Sequence, residues 1–202
     1  MACTADSPAL RHAAMTTSSE FTSQDIAKLA NRLDRPIVLV GLMGVGKSTV
    51  GQRLASLLGM DFVDSDDAIE EAAQLSVAEI FEEFGEPYFR AGERRVIARL
   101  LEDRCGVIAT GGGAFIDEET RTLILRSALA VWLDCDIETL VARTARRGTR
   151  PLLKTGDPHA ILTRLHRERS PAYAQAPIRI ETGNYPHHQT AMKILEAIDA
   201  WM

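Results

Sequence analysis

No segment of this 202-residue chain carries the roughly 18 consecutive apolar residues that a membrane helix requires, so no membrane partner is expected. Cysteine is scarce and odd in number. Cys3, Cys105 and Cys135 follow no metal-ligand spacing and make no disulfide framework, which suits a reducing cytoplasm. There is no internal repeat, and the N-terminal stretch lacks the continuous apolar core of a signal peptide. An excess of basic charge is also missing: the formal charge is -5 at pH 7, so nucleic acid is not expected as a partner. Aromatics make up 5% of the residues. None interrupts the basic stretch 143–169, which argues against an RNA-binding patch there.

What is present, 46% hydrophobic and 25% charged residues, fits one ordinary globular domain with a substantial core. Residues 1–34 stand apart. They are rich in Ala, Ser and Thr, and Asp6, Glu20, Asp25 and Asp34 argue against a transit peptide. They are read as a flexible or loosely helical extension, with Met15 an alternative start, and the working domain as 35–202.

From Pro36 the pattern changes. Pro36 to Gly41 is a short β-branched apolar run of the kind found in buried parallel strands. A helix is predicted from Ser48 to Leu58, stopped by Gly59. A second strand follows over 60–63 and ends in Asp64-Ser65-Asp66. Ser76 and Glu79 form a capping box for a short helix ending near Gly85, and Pro87 opens another through Glu102. Strands are predicted at 107–109, 129–133 and 178–181, and helices at 117–127, 136–147, 157–170 and 186–201. Five strands alternating with helices imply an α/β domain with a parallel sheet covered on both faces. Charge is uneven: residues 61–86 hold ten acids and no Lys or Arg, whereas 143–169 hold eight Lys or Arg against two acids. Either run could be a solvated helix face, but a phosphate-handling lid accounts for the second economically.

Gly41-x-x-Gly44-x-Gly46-Lys47-Ser48 matches the Walker A pattern between a predicted strand and a predicted helix. Its glycines let the backbone form a concave nest of N–H groups around phosphate oxygens, reinforced by the positive end of the helix. Lys47 would neutralise the β- and γ-phosphates of ATP, and the Ser48 hydroxyl would ligate Mg²⁺. The pattern names the nucleotide and leaves the acceptor open.

The acceptor has to be sought in the remaining polar clusters. Asp64 and Asp66 sit two apart at a strand end, where alternation would aim them alike and where doubly wound sheets bind ligands. One could act on the metal's water shell and the other receive a hydroxyl proton. Alternatively, Asp66 merely caps a helix beginning near Asp67. Arg90, Arg150 and Arg169 are candidates to hold an anionic acceptor or the transferring phosphoryl group, since a guanidinium pairs with carboxylate through two parallel hydrogen bonds. Leu129 to Asp134, an apolar run ending in Asp, also looks like a Walker B strand, which makes Asp134 an alternative magnesium contact.

Taken in order, these segments resemble the shikimate kinase family from about Arg35 to the C-terminus. They include Gly41 to Thr49, Phe62 to Asp66 with Ile69-Glu70, and Ile80 to Glu86. Phe89-Arg90-Ala91-Gly92-Glu93, Gly111-Gly112-Gly113, Arg150-Pro151-Leu152-Leu153 and Arg169-Ser170-Pro171-Ala172-Tyr173 complete the series. The phosphate loop is shared by many kinases, whereas the whole series is specific. The resemblance implies a P-loop, nucleoside-monophosphate-kinase-like three-layer fold with a five-stranded parallel sheet and a lid near 145–165. It implies ATP and Mg²⁺, with Gly44, Val45, Gly46, Lys47, Ser48 and Thr49 on the nucleotide. Arg143 would stack on adenine, Pro186 would face the base from the other side, and Arg150 would reach from the lid to the phosphates. Asp64 would lie near the metal with Ser48. Asp66 would bind the ring hydroxyls of shikimate, Arg90 and Arg169 its carboxylate, Glu93 would orient Arg90, and Gly111, Gly112 and Gly113 would contact substrate. Lys47, Asp66 and Arg150 are the expected catalytic residues of a monomer that phosphorylates shikimate at its 3-hydroxyl, in aromatic amino-acid biosynthesis. Strand 129–134 would be structural. A gluconate-type kinase and a nucleotide-binding module without catalysis are the alternatives. Neither needs Asp66, Arg90 and Arg169 together.

Overall fold

The computed structural model describes residues 21–103, 106–145 and 156–202. Its chain order is α1 (Ser23–Arg32), β1 (Ile37–Val40), α2 (Lys47–Leu58), β2 (Phe62–Asp64), α3 (Ser65–Ala73), α4 (Val77–Glu102) and β3 (Val107–Ala109). There follow α5 (Glu118–Ser127), β4 (Leu129–Cys135), α6 (Ile137–Ala145), α7 (Pro158–Tyr173), β5 (Ile178–Thr182) and α8 (His187–Trp201).

The five strands form one all-parallel sheet in the order β2-β3-β1-β4-β5. β1 lies at its centre, with Ile37 opposite Val107 on one side and Leu129 on the other. All four β1 residues and all seven of β4 are buried, so both faces of the sheet are covered, as the unbroken apolar runs require. β5, at the edge, alternates buried and exposed. The chain moves from β1 outward to β2, returns through β3, and only then crosses to β4. The crevice for a ligand therefore opens at the carboxyl ends of the strands beside β1. Gly41 follows β1 there, Asp64 ends β2 and Thr110 follows β3.

Caps set the helix boundaries much as the side chains foretell. Gly59 ends α2 at φ 66°, a left-handed conformation that glycine adopts without strain. Ser76 and Glu79 form the expected capping box. The two helices expected around Gly85 and Pro87 run on as α4 with a break at Gly85, φ 78° and ψ 173°.

Two expectations require correction. Ser23–Arg32, placed above in an extension outside the domain, is a capped helix that belongs to the core. Thr22 and Asp25 form its capping box, Leu29 is 0% exposed, and Arg32 reaches Asp199 of α8 at 2.6 Å. Its apolar residues are spaced one helical turn apart, and burying them between α2 and α8 outweighs the polar composition around them. Second, Asp66 lies within α3, not at a strand end. Asp64 is both the last residue of β2 and the N-cap of α3, its carboxylate accepting from the Asp66 N–H. Strand alternation therefore does not bring the two carboxylates together; a tight strand-to-helix joint does. The expected lid falls across 146–155, outside the described residues, and its second part, from Pro158, is the start of α7. Among the described residues no helix is long and apolar enough to cross a membrane.

Candidate active site

The loop between β1 and α2 has Gly41, Gly44 and Gly46 at φ 137°, 82° and 101°. Such angles are rare for residues with a Cβ, and a side chain at Gly41 would collide with the Leu133 carbonyl of β4. The sequence thus bends tightly enough to turn its N–H groups inward, and Gly46 leads directly into Lys47, the first residue of α2. The Lys47 ammonium folds back over the loop, donating to the carbonyls of Gly41 and Leu42 at 2.8 and 2.9 Å. Ser48 and Thr49 follow in the first turn. The Ser48 hydroxyl donates to Asp64 Oδ2 at 2.6 Å, joining the phosphate loop to the end of β2.

Arg143, near the end of α6, spans two loops, donating to the Val45 carbonyl at 3.1 Å and to the Gly183 carbonyl between β5 and α8. Pro186 is the exposed N-cap residue of α8, in the loop that Arg143 grips. Arg150 lies outside the described residues.

The acceptor side assembles around the turn after β3. Thr110 anchors it, donating from its hydroxyl to the Leu39 carbonyl of β1 at 3.1 Å, and the Gly111 N–H donates to the buried Ser65 hydroxyl at 3.2 Å. Side chains from α3, α4 and α7 crowd this turn. A Cβ at Gly111 would stand 2.7 Å from Asp66 Oδ1 and 3.1 Å from Glu93 Oε1, and one at Gly113 would collide with the Arg90 guanidinium. A Cβ at Gly112 would lie 3.4 Å from Met43 N of the phosphate loop and 3.6 Å from Arg169 Nη1. Arg169 itself donates to the Gly112 carbonyl at 3.0 Å. Asp66, Arg90, Glu93 and Arg169, from three different helices, are therefore gathered on one glycine turn that abuts the phosphate loop.

The electrostatics match the geometry. Arg90 donates to Glu93 Oε2 at 2.6 Å and to Glu86 Oε1, and its guanidinium lies 5.1 Å from the Phe89 ring centroid. Glu93 is 1% exposed, and its other oxygen, Oε1, has no hydrogen-bond partner among the described residues. Burial, more than any charge, pushes the Glu93 carboxyl above the usual range against the pull of Arg90. Asp66 is raised as well, first by burial and then by the neighbouring Asp64 charge, with Lys47 pulling the other way. Carboxylates held this way favour taking up or sharing a proton.

Sequence reasoning missed two partners in this cluster. The Tyr173 hydroxyl donates to the Gly112 carbonyl at 2.6 Å, and burial raises its pKa to about 12, so it stays a donor. Its signal was its place one helical turn after Arg169. Ser65, which lies between Asp64 and Asp66 and carries no role in the sequence reading, pins α3 to Gly111. Asp134, the alternative metal-side carboxylate, instead accepts from Arg179, His166 and the Cys135 N–H.

The profile of one protein family, described as shikimate kinase, matches residues 43–199. The chain is 58% identical to the shikimate kinase of Novosphingobium aromaticivorans over 187 residues, 90% of this chain and 96% of that protein. It is 52% identical to the Caulobacter vibrioides shikimate kinase over 178 residues, 88% of each. A solved structure, the Acinetobacter baumannii shikimate kinase in complex with shikimate, superposes with a TM-score of 0.80 at 37% identity. That likeness covers 89% of this chain and 98% of the other. With the phosphate loop and the acceptor cluster in one crevice, and with these relatives matched along nearly their whole length, the chain belongs to the shikimate kinase family.

Proposed function

We propose that this chain is an ATP:shikimate 3-phosphotransferase whose crevice divides into a nucleotide half and an acceptor half. The observation that carries the reading is the gathering of Asp66, Arg90, Glu93 and Arg169 on Gly111 to Gly113, directly beside Met43 of the phosphate loop. Shikimate has a carboxylate at one end and ring hydroxyls at the other. Two guanidiniums, a half-buried carboxylate and a buried one gathered at one turn complement that pattern.

In this reading the loop N–H groups from Gly44 to Thr49 and Lys47 hold the phosphates. Lys47 leaves the carbonyls of Gly41 and Leu42 for phosphate oxygens when ATP binds. Arg143 and Pro186 flank adenine, and Arg150 reaches the phosphates from the lid. Arg90 and Arg169 clamp the acceptor carboxylate, with the buried Glu93 holding Arg90 in place. Asp66 accepts the proton of the 3-hydroxyl as that oxygen attacks the γ-phosphorus, and ADP leaves on the opposite side. Positioning and fixed charge supply most of the rate.

The residues fit a magnesium ion. Ser48 Oγ and Asp64 Oδ2 are hard oxygens 2.6 Å apart at the phosphate loop. No group of three or more His, Cys, Asp or Glu among the described residues could hold a metal unaided, which suits an ion shared with phosphate oxygens and water. When bound, Mg²⁺ neutralises charge on the β- and γ-phosphates.

The test is a coupled assay of ADP release with shikimate, with gluconate and with no acceptor. Turnover with shikimate alone is expected. Turnover with gluconate would favour a gluconate-type kinase, and no turnover with either would favour a module without catalysis.

A further inference from the structure

The carboxylate of Asp134, at the end of β4, is fully engaged. Its Oδ2 accepts from Arg179 Nη2 and Nε at 2.7 and 3.2 Å. Its Oδ1 accepts from the Cys135 N–H at 3.0 Å and lies 3.1 Å from His166 Nε2. A carboxylate in this setting only accepts, so the His166 ring presents Nε2–H to it. The other ring nitrogen lies 3.3 Å from Ser170 Oγ, whose own proton goes to the His166 carbonyl at 2.6 Å. His166 is thus the side chain that ties α7 to the end of β4 through a polar contact.

Position along α7 gives this contact its meaning. His166, Arg169, Ser170 and Tyr173 fall at the i, i+3, i+4 and i+7 spacing of one helix face. One turn before Arg169, His166 is fixed on Asp134; one turn after it, Tyr173 is fixed on the Gly112 carbonyl. Tyr173 also stacks on Trp132, two residues before Asp134 on the same face of β4, at 5.9 Å between ring centroids. Two points determine the rotation and axial position of a rigid helix, and Arg169 lies between them.

We propose that His166 is a positioning residue: through Asp134 it fixes the register of α7 so that the Arg169 guanidinium meets the carboxylate of the acceptor. The inference rests on the reading of Arg169 given above. Removing the imidazole does not strand a buried charge, because Asp134 keeps Arg179 and the Cys135 N–H. Buried Leu162, Leu165 and Tyr173 keep α7 docked. The effect therefore falls on placement of Arg169 and not on folding.

The experiment measures kcat, KM for shikimate, KM for ATP and Tm for His166→Ala, His166→Gln, Arg169→Ala and the double variant His166→Ala/Arg169→Ala. His166→Ala is expected to raise KM for shikimate about threefold to tenfold, with KM for ATP and Tm unchanged. His166→Gln, whose amide N–H can replace Nε2–H, should restore the wild-type value. In the Arg169→Ala background the loss of His166 should add nothing. If Arg169→Ala raises KM for shikimate but His166→Ala does not, or if the two effects multiply in the double variant, the positioning role is wrong and the Arg169 reading stands. An unchanged KM in Arg169→Ala would instead remove the reading beneath it. A fall in Tm with both KM values rising alike and no rescue by Gln would reduce His166 to a structural contact and overturn the proposal.

Discussion

The phosphate loop of the proposed nucleotide half is eight consecutive residues, Gly41 to Ser48, at the joint of β1 and α2. The acceptor half takes Asp66 from α3, Arg90 and Glu93 from α4, the glycine turn after β3, and Arg169 from α7. The first is a local structure: its glycines and the helix that follows create the site wherever a parallel strand precedes them. The second exists only when four separate elements are packed to within hydrogen-bonding distance. In the proposed reading, chemistry common to many kinases sits on the local half, and the chemistry that selects one acceptor on the half that depends on the whole fold.

Several variants sharpen this contrast. The largest effect is expected for Lys47→Ala, which removes a phosphate-neutralising charge and almost no core volume. Its kcat should fall on the order of a thousandfold while Tm holds. A kcat near wild type would remove the phosphate loop from the mechanism.

Asp66→Asn should lower kcat by about a hundredfold, more than it weakens shikimate binding, because shape is kept and the proton acceptor is lost. The same variant carries a stability signature. Asp66 titrates from 3.8 in the unfolded chain, and burial followed by the Asp64 charge raises it in the folded protein. Between the two values the folded state holds more protons, so stability falls as pH rises through that window, and above it the ionised carboxylate weakens the fold. Asp66→Asn should therefore melt higher than wild type at neutral pH, with the difference closing as pH falls towards 3.8. Thermal melts across pH check this. A lower Tm for the variant at neutral pH would contradict the burial argument.

A smaller effect separates two views of where the domain begins. Deleting residues 1–20 should change neither Tm nor kcat/KM. Deleting 1–34 removes α1, with Ile26 and Leu29 buried between α2 and α8. That should cost roughly 3 kcal/mol and lower Tm by about ten degrees, with a lesser effect on kcat. Equal Tm for the two truncations would return α1 to the status of an appendage.

These two regions also explain what the sequence made legible. β1, β3 and most of β4 are unbroken apolar runs, and the phosphate loop is a contiguous pattern, so both could be read directly. Arg90, Glu93 and Arg169 carry no local signal; only the whole ordered series of segments marked them. Asp66 was named for a reason that the fold does not use, since Asp64 caps α3 and turns the chain before strand alternation can act. α1 was hidden because it lies in a stretch rich in Ala, Ser and Thr, where only Ile26 and Leu29, one turn apart, do the packing. Ser65, Tyr173 and His166 act by touching residues about 30 to 60 positions away, and no spacing in the sequence names those partners.

The central claim is that the two halves are separable, and crossed titrations of ATP and shikimate on Arg90→Ala test it most directly. Arg90 is held by Glu93 against Gly113 of the glycine turn, and none of its hydrogen bonds among the described residues goes to the phosphate loop. Loss of one charge-assisted pair is worth roughly 1.5–3 kcal/mol, so kcat/KM for shikimate should fall about tenfold to a hundredfold while KM for ATP stays within error. A rise in KM for ATP with shikimate binding intact would contradict the division of the site.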